Sequence, residues 1–326
     1  MTAALAAAPL LEVDRLRVEF PTRHGTLTAV HDVSFAIAPG EVLGVVGESG
    51  AGKSVTGAAV IGLLDPPGRI ADGEVRLSGR RIDHLPYGTM RRIRGREIGA
   101  IFQDPLTSLD PLYTIGKQLT ETICTHLSLP ADEARTRAIT LLDEVGIPGA
   151  AHRLDQFPHQ FSGGMRQRVV IALALAANPR LIIADEPTTA LDVSIQAQII
   201  LLLKRLCRDH GTAVMLITHD MGVIAETANR VAVMYAGRIV EIGPVADVIH
   251  RPHHPYTIGL MGSIPSITSN RERLMQIDGA MPRLTEVPAG CAFHPRCTQA
   301  FDRCRRERPQ PVTVGASEAA CWLHQR

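Results

Sequence analysis

The first part of the chain alternates apolar and polar residues in the way that is typical of β-strands. Residues 10–20 place apolar side chains between charged ones, and residues 30–37 repeat the pattern. The segment from Glu41 to Val46 is mostly apolar and ends at a glycine. Residues 73–84 predict a further pair of strands around a Ser-Gly turn. The N-terminal region is therefore predicted to consist mainly of strands.

Between residues 105 and 178 the apolar positions recur at helical spacing, as in the stretch from Ala131 to Val145. A second amphipathic helix is predicted from Ile195 to Arg208. Short apolar runs predict buried strands at residues 181–185, 213–218 and 230–234. Strands that alternate with helices in this way predict the α/β class, with a mostly parallel sheet and helices on its faces.

The bulk composition is that of a globular protein. The chain has 326 residues, of which 45% are hydrophobic and 21% charged, and at roughly 150 residues per domain this length predicts about two domains. A net charge of +1 argues against a strongly basic nucleic-acid-binding protein, while local basic patches remain open. The longest apolar segment, Val169 to Ala177, is about half of the ~20 residues that span a bilayer. If the protein takes part in transport, other chains must form the pore.

The N-terminal segment from Met1 to Leu11 is rich in Ala and Leu but lacks the positive charge that opens a signal peptide. We interpret it as a tail that leads into the first strand of a cytosolic protein. Disulfides are rare in the cytosol, so the cysteines are expected to be free thiols or metal ligands. Beyond about residue 250 the chain becomes rich in Pro, Arg, His and Cys, which indicates a separate C-terminal module.

A glycine-rich loop follows the apolar segment that ends at Val46. Residues 47–54 match the pattern G-x-x-x-x-G-K-S/T between a predicted strand and a predicted helix. Glycines let backbone N–H groups point at phosphate oxygens, and the helix N-terminus adds a partial positive charge. Lys53 is expected to reach the β- and γ-phosphates, and the Ser54 hydroxyl to bind Mg²⁺. The predicted nucleotide ligands are Gly47, Ser49, Gly50, Gly52, Lys53 and Ser54.

Two acidic residues, Asp185 and Glu186, end the apolar run at 181–184. A buried strand that exposes carboxylates at its C-terminal end fits a ligand site on a parallel sheet. Asp185 is expected to hold Mg²⁺ through water. Glu186 is expected to orient or deprotonate the water that attacks the γ-phosphate. Together with the phosphate loop, this pair predicts ATP hydrolysis.

Further motifs stand in a fixed order around these residues. The run Ser162-Gly163-Gly164-Met165-Arg166-Gln167-Arg168 resembles the S-G-G-x-x-x-R signature of the ABC ATPase superfamily. Gln103 resembles its Q-loop glutamine, Ala190-Leu191-Asp192 its D-loop and His219 its switch histidine. Each residue alone is more typical of a polar surface position or a helix cap. As an ordered set, the motifs identify residues 10–250 as a member of the ABC ATPases.

This resemblance implies a P-loop NTPase fold with a mixed β-sheet core, an antiparallel β subdomain and a helical subdomain at about residues 105–178. It also implies a head-to-tail dimer, in which ATP lies between the phosphate loop of one cassette and the signature of the other. Ser162 and Gly164 would then contact a γ-phosphate held by the partner, as a helix N-terminus favours. Gly163 and Asp192 are assigned to the same nucleotide site by the resemblance.

The resemblance gives three more residues a role. Gln103 is expected to contact Mg²⁺ or the attacking water and to sense the membrane subunits. His219 is expected to hold the γ-phosphate and Glu186 in place. Phe20 lies where the family has an aromatic residue that stacks on adenine, although an aromatic residue at the end of a strand is equally typical of a core.

Four segments are similar to the dipeptide/oligopeptide importer branch, which also includes nickel and glutathione importers: residues 102–111, 254–257, 263–265 and 290–297. The branch implies a peripheral protein on the cytoplasmic face of the inner membrane. Its expected partners are a second ATPase subunit, two transmembrane permease subunits and an extracytoplasmic solute-binding protein. The branch favours a paralogue as the second ATPase, but an identical chain remains open. Peptide, nickel, glutathione and opine-like solutes all remain open as well.

The C-terminal module, residues 251–326, contains the four cysteines Cys291, Cys297, Cys304 and Cys321. Four thiols are the number that a 4Fe-4S iron–sulfur cluster or a structural zinc site requires. The spacings of five, six and sixteen intervening residues match neither a zinc ribbon nor a bacterial ferredoxin. The importer resemblance favours the iron–sulfur cluster over zinc, and four unrelated thiols are the remaining alternative. A small module needs such a staple to fold, so a redox role is not implied.

Two other classes of protein fit part of the pattern. A soluble ABC ATPase acting on DNA or ribosomes usually has two cassettes in one chain, or a long coiled coil between the phosphate loop and the signature. This sequence has one set of motifs, and the roughly 110 residues between Lys53 and Ser162 contain no heptad repeat. An iron–sulfur redox enzyme with a nucleotide-binding domain would not need the complete set of ATPase motifs. An ATP-hydrolysing importer subunit is therefore the favoured prediction.

Overall fold

The computed structural model describes residues 8–188, 191–263 and 276–325. The chain divides into two compact units. The first unit comprises the chain to Leu11 together with Ala36–Glu41 and Leu77–Ile217, and the second comprises Glu12–Phe35, Val42–Arg76 and Thr218–Arg326. The predicted tail before residue 8, Ala190 of the D-loop and residues 264–265 lie outside the described residues.

The strands of the described chain are β1 (Leu11–Thr22), β2 (Gly25–Ile37), β3 (Val42–Val46), β4 (Arg69–Leu77), β5 (Arg80–Arg81), β6 (Ile98–Ile101), β7 (Leu181–Asp185), β8 (Ala213–Ile217), β9 (Arg230–Tyr235), β10 (Arg238–Pro244), β11 (Val312–Val314) and β12 (Ser317–Ala319). The helices are α1 (Lys53–Val60), α2 (Tyr87–Ile93), α3 (Pro105–Ser108), α4 (Ile115–Leu127), α5 (Ala131–Glu144), α6 (Ala150–Arg153), α7 (Gly163–Leu175), α8 (Val193–His210), α9 (Met221–Thr227), α10 (Val245–His250), α11 (Pro255–Gly262) and α12 (Asp302–Arg306). Within the part of the chain that these elements cover, no helix is long and apolar enough to cross a membrane.

The first unit is built on three parallel strands in the order β6-β7-β8. The apolar residues of β7 and all of β8 are buried, because helices cover both faces of a parallel sheet. Asp185 at the end of β7 lies opposite Ile217 at the end of β8. The carboxyl ends of these strands therefore present Asp185 and Glu186 at one edge of the sheet.

The helices between residues 105 and 175 belong to this first unit. Helix α4 begins where the Thr114 side chain accepts a hydrogen bond from the Lys117 N–H, which satisfies one free donor of the first turn. Its buried residues Ile115, Leu119 and Ile123 lie four residues apart, so they form one face of the helix. This face packs against α5 and α7.

The second unit contains β3, which pairs in parallel with β9. A tight turn at Ala236 and Gly237, both with positive φ, reverses the chain into β10, which pairs antiparallel with β9. Strand β12 then pairs with the other edge of β10, so that Ala319 lies opposite Glu241, and β11 pairs with β12. Strands β2, β1 and β4 form a further sheet in that order.

The C-terminal residues therefore extend the sheet that holds β3. The aromatic rings of Tyr235, Tyr256 and Phe293 form a cluster in the same unit, with centroids 4.7–5.4 Å apart. Aromatic pairs at such distances contribute stability beyond the area that they bury. The predicted domain boundary near residue 250 stays a prediction, since the compact unit includes chain on both sides of it.

Candidate functional site

The glycine-rich loop joins the buried strand β3 to helix α1, as the sequence predicts. Gly47, Gly50 and Gly52 all have positive φ, a conformation that other residues rarely adopt. A Cβ atom at Gly47 would lie 2.2 Å from the Met234 carbonyl oxygen, and one at Gly52 would lie 3.0 Å from that of Ala29. The backbone conformation therefore favours glycine at all three positions, and the close backbone neighbours add a steric reason at Gly47 and Gly52.

Lys53 is the first residue of helix α1, and its side chain is only 6% exposed. The ammonium group donates hydrogen bonds to the carbonyl oxygens of Gly47 at 2.8 Å and Glu48 at 3.1 Å. The positive charge thus lies inside the curve of the loop. Ser54 follows on the exposed side of the helix. This arrangement suits a lysine that contacts phosphate and a hydroxyl that contacts a cation.

Two C-terminal residues also contact this loop, and sequence reasoning gave neither of them a role. The Tyr256 hydroxyl accepts a hydrogen bond from the Glu48 N–H at 2.9 Å. Arg296 Nη1 lies 3.0 Å and 3.1 Å from the two carboxylate oxygens of Glu48. The segments that carry them, 254–257 and 290–297, stand out in the sequence only as branch motifs, and nothing in the sequence links them to the loop.

Glu186 follows β7 in the left-handed region, with φ of +46°, and its N–H bonds the Ile217 carbonyl oxygen at 2.8 Å. An observed outlier of this kind in a residue other than glycine is typical of functional sites. Gln103 Nε2 lies 3.5 Å from Glu186 Oε2. The structure thus brings the predicted Q-loop glutamine to the predicted catalytic base, while Asp185 stands beside them at the end of β7.

The signature motif lies at the N-terminus of helix α7. The Ser162 hydroxyl caps the helix by accepting a hydrogen bond from the Met165 N–H at 3.3 Å. Asp192 caps α8 in the same way, accepting from the Ile195 N–H at 3.0 Å. A Cβ atom at Gly164 would lie 2.8 Å from Cγ2 of Ile195, so the glycine allows the two helix N-termini to approach each other. Both ends have the partial positive charge that anions favour.

His219 follows β8 and is exposed, at the start of the second unit. The next residue, Asp220, caps helix α9 by accepting from the N–H groups of Gly222 and Val223, so the capping role does not belong to the histidine. The ring of Phe20 is partly buried against Gly68, where a Cβ atom would lie 2.6 Å from the ring. The switch role of His219 and the adenine contact of Phe20 stay predictions.

The four C-terminal cysteines are free thiols, of which Cys304 and Cys321 are buried. Burial raises the pKa of Cys291 and Cys297 and raises that of Cys321 to about 11, and the other cysteines add to each increase. The four sulfur atoms therefore lie within electrostatic range of one another. As they stand, no three His, Cys, Asp or Glu side chains in the described ranges are arranged to hold a metal ion.

Comparisons with known proteins agree with this geometry. The family described as ABC transporter matches residues 30–189. The family described as oligopeptide/dipeptide transporter, C-terminal region, matches residues 240–304. The solved dimeric structure of the ATP-binding cassette MJ0796 bound to ADP and Pi superposes with a TM-score of 0.65 at 28% identity, covering 72% of this chain and 98% of that one. CbiO1 of Clostridium perfringens, part of the ABC transporter complex cbiONQ, superposes with a TM-score of 0.64 at 28% identity, covering 74% and 91%.

Curated relatives match over almost the whole length. The dipeptide transport ATP-binding protein DppD of Escherichia coli is 48% identical, covering 92% of both chains. The oligopeptide transport ATP-binding protein OppD of Salmonella typhimurium is 48% identical, covering 98% of this chain and 96% of its own. These matches confirm the ABC ATPase fold and the ATPase activity that the motifs predict. The chain belongs to the ATP-binding proteins of the ABC transporter family, in the branch with the oligopeptide/dipeptide transporter C-terminal region.

Proposed function

We propose that the chain is the ATP-hydrolysing subunit of an importer of dipeptides or oligopeptides. The observation that carries the proposal is the 48% identity to peptide-transport ATP-binding proteins over 98% of the chain. This similarity includes the C-terminal region, residues 240–304, which the oligopeptide/dipeptide family description names. The cassette fold alone supports ATP hydrolysis, so it is the C-terminal match that supports the peptide as the solute.

The phosphate loop is proposed to bind the triphosphate. Its N–H groups and the Lys53 ammonium would hold the β- and γ-phosphates, and the curvature imposed by Gly47 and Gly52 supports this role. Ser54, Gln103 and Asp185 are the residues proposed to hold Mg²⁺, Asp185 through water. When bound, the cation neutralises the negative charge that develops on the phosphate oxygens.

Glu186 is proposed as the general base, because its carboxylate ends the central parallel strand and is held by the Gln103 amide. Ser162, Gly163, Gly164 and Asp192 are proposed to contact a nucleotide bound to a second cassette. The two adjacent helix N-termini support this, since both carry the partial positive charge that favours a phosphate. His219 is proposed to position the γ-phosphate and Glu186, and Phe20 to stack on adenine.

The proposed assembly has several chains. A second cassette, proposed as a paralogue, completes the ATP sites, and two permease subunits form the path through the membrane. An extracytoplasmic binding protein selects the solute, and the present chain lies on the cytoplasmic face. Similarity to peptide-transport subunits supports this assembly.

The C-terminal cysteines are proposed to ligate a 4Fe-4S cluster, with zinc as the alternative. Metal ligation requires thiolates. Burial raises the pKa of Cys291, Cys297 and Cys321, while the N–H groups of Phe293, Gln299 and Leu323 oppose this increase. Metal binding would therefore have to release the protons of these thiols. The proximity of the four thiols, each of which acts electrostatically on the others, supports the proposal. The sulfur atoms would have to move together on metal binding.

The test is uptake of a labelled dipeptide by cells that carry either the natural chain or Glu186→Gln, with oligopeptides, glutathione and Ni²⁺ as competitors. We expect cells with Glu186→Gln to lose dipeptide uptake. In cells with the natural chain, we expect only peptides to compete with the labelled dipeptide. Competition by glutathione or Ni²⁺ instead would assign those solutes and reject the peptide. Equal uptake in the two strains would reject peptide import while leaving the ATPase activity in place.

A further inference from the structure

Glu48, the second residue of the phosphate loop, is held by C-terminal side chains. Its N–H donates to the Tyr256 hydroxyl, and its carboxylate accepts from Arg296, while its carbonyl oxygen accepts from Lys53. Tyr256 is fully buried, and the Arg296 side chain is 8% exposed. The Glu48 side chain is 30% exposed, so solvent weakens this ion pair less than it weakens one between two exposed side chains.

The guanidinium group of Arg296 is fixed on every side. Its Nε donates to the Asp278 carbonyl oxygen at 2.8 Å, and Nη2 lies 3.3 Å and 3.2 Å from those of Ile277 and Gly279. Nη1 is also 3.4 Å from the Tyr235 hydroxyl. Because the planar guanidinium group donates hydrogen bonds to several segments, its own orientation is fixed, and it holds the bound carboxylate in a defined place. Arg296 therefore fixes the position of Glu48 as well as balancing its charge.

Arg296 is rigidly joined to the cysteine-containing segment. It ends a short 3-10 turn, His294–Arg296, and Cys297 follows directly. The preceding Phe293 packs on Tyr235 and Tyr256, with ring centroids 5.2 Å and 5.4 Å apart. Tyr256 and Arg296, the two residues that contact Glu48, are thus both connected to the packed rings of Tyr235, Tyr256 and Phe293. A change in the segment from Cys291 to Cys297 would be transmitted to the loop.

We propose that Arg296 and Tyr256 are positioning residues for ATP binding, through which the C-terminal module holds the phosphate loop in the conformation that receives nucleotide. The proposal rests on the proposed role of residues 47–54 as the nucleotide site. The loop must direct several N–H groups at phosphate oxygens, and the glycines that make this possible also leave it flexible. Because Glu48 is held at its N–H and its carboxylate, the loop loses less conformational entropy when ATP binds, and binding is more favourable.

The experiment measures the Kd of a fluorescent ATP analogue and the kcat of ATP hydrolysis for the full-length chain. Arg296→Gln is expected to raise Kd on the order of tenfold, as for loss of a charge-assisted hydrogen bond, with a much smaller change in kcat. Arg296→Lys should recover part of the affinity, since it keeps the charge but loses the fork. Glu48→Gln should weaken binding similarly, and the double variant should be no weaker than either single one.

Arg303→Gln is the matched control, because Arg303 lies in the same module but bonds Glu307 and stacks on Trp322. It is expected to leave Kd unchanged. Wild-type affinity in Arg296→Gln, equal weakening in Arg303→Gln, or independent effects in the double variant would overturn the proposal. If Arg296→Gln does not fold, Glu48→Gln decides by the same criterion. Lys53→Ala distinguishes failure of the positioning role of Arg296 from failure of the proposed nucleotide site. If Lys53→Ala binds ATP normally, the assignment of residues 47–54 as the nucleotide site itself fails.

Discussion

Gln103 and Glu186 meet at the edge of the parallel sheet, where Nε2 of the amide lies 3.5 Å from Oε2 of the carboxylate. The two residues are far apart in the chain, and each follows a strand of the same sheet, β6 and β7. The amide that is expected to contact Mg²⁺ or the attacking water is therefore already in reach of the proposed base. This relationship makes the roles of both residues open to direct test.

We expect Glu186→Gln to bind ATP with nearly the natural affinity but to lose hydrolysis by a factor on the order of 10² or more, because the amide cannot accept a proton from water. Nucleotide binding and single-turnover hydrolysis measure the two effects separately. Glu133→Gln is the control, since Glu133 is an exposed residue in the first turn of α5. Hydrolysis at the natural rate in Glu186→Gln would exclude Glu186 as the base.

Gln103→Glu is expected to shift the pH dependence of hydrolysis. Two carboxylates at this distance resist simultaneous ionisation, so the acidic limb of the profile should move to higher pH by roughly one unit. Gln103→Ala removes the amide without adding charge and should lower the rate without moving the limb. The profile of kcat against pH is the measurement. An unmoved limb in Gln103→Glu would show that the two side chains are not neighbours during turnover.

Cys297→Ser is expected to abolish bound iron or zinc and to destabilise the C-terminal module. Metal content of anaerobically purified protein and limited proteolysis are the measurements. Cys124→Ser is the control, because Cys124 lies in helix α4 of the other compact unit. Absence of both metals from the natural protein would contradict the proposed site, and the cysteines would then be unrelated thiols.

His254 should make the protein less stable in acid. Burial lowers the pKa of this fully buried histidine to about 3, whereas an unfolded histidine titrates near 6.5. Between these values the unfolded chain binds more protons, so stability falls as pH falls, by up to about 1.4 kcal/mol per pH unit.

We expect His254→Asn, which keeps an acceptor for the Tyr256 N–H at the start of α11, to reduce this slope. Chemical unfolding at about pH 7 and about pH 5 measures it, on either side of the unfolded value. His250→Asn, at the exposed end of α10, is the control and should keep the natural slope. An equal slope in His254→Asn would show that other groups cause the acid sensitivity.

Much of the fold was predictable because local pattern and burial agree. The predicted helix over residues 131–145 is α5, Ala131–Glu144, and the predicted strand at 181–185 is β7. Strand β6 (Ile98–Ile101) was missed, since four residues are too short to show a period. Strand β10 was missed because Glu241 interrupts its apolar residues and its Gly-Pro end resembles a turn. Both strands are fixed by pairing with neighbours distant in sequence.

The sequence by itself determined the motifs of the proposed nucleotide site. The glycine spacing of residues 47–54, the acidic pair at the end of β7 and the signature at the N-terminus of α7 depend on local backbone geometry, which a short segment encodes. Tertiary structure alone decided what surrounds them. The contact of Arg296 with Glu48 joins residues 248 positions apart. The first turns of α7 and α8, at Gly164 and Ile195, come close only because the two helices pack together. Such contacts leave no periodic trace in the sequence, because packing of distant segments creates them.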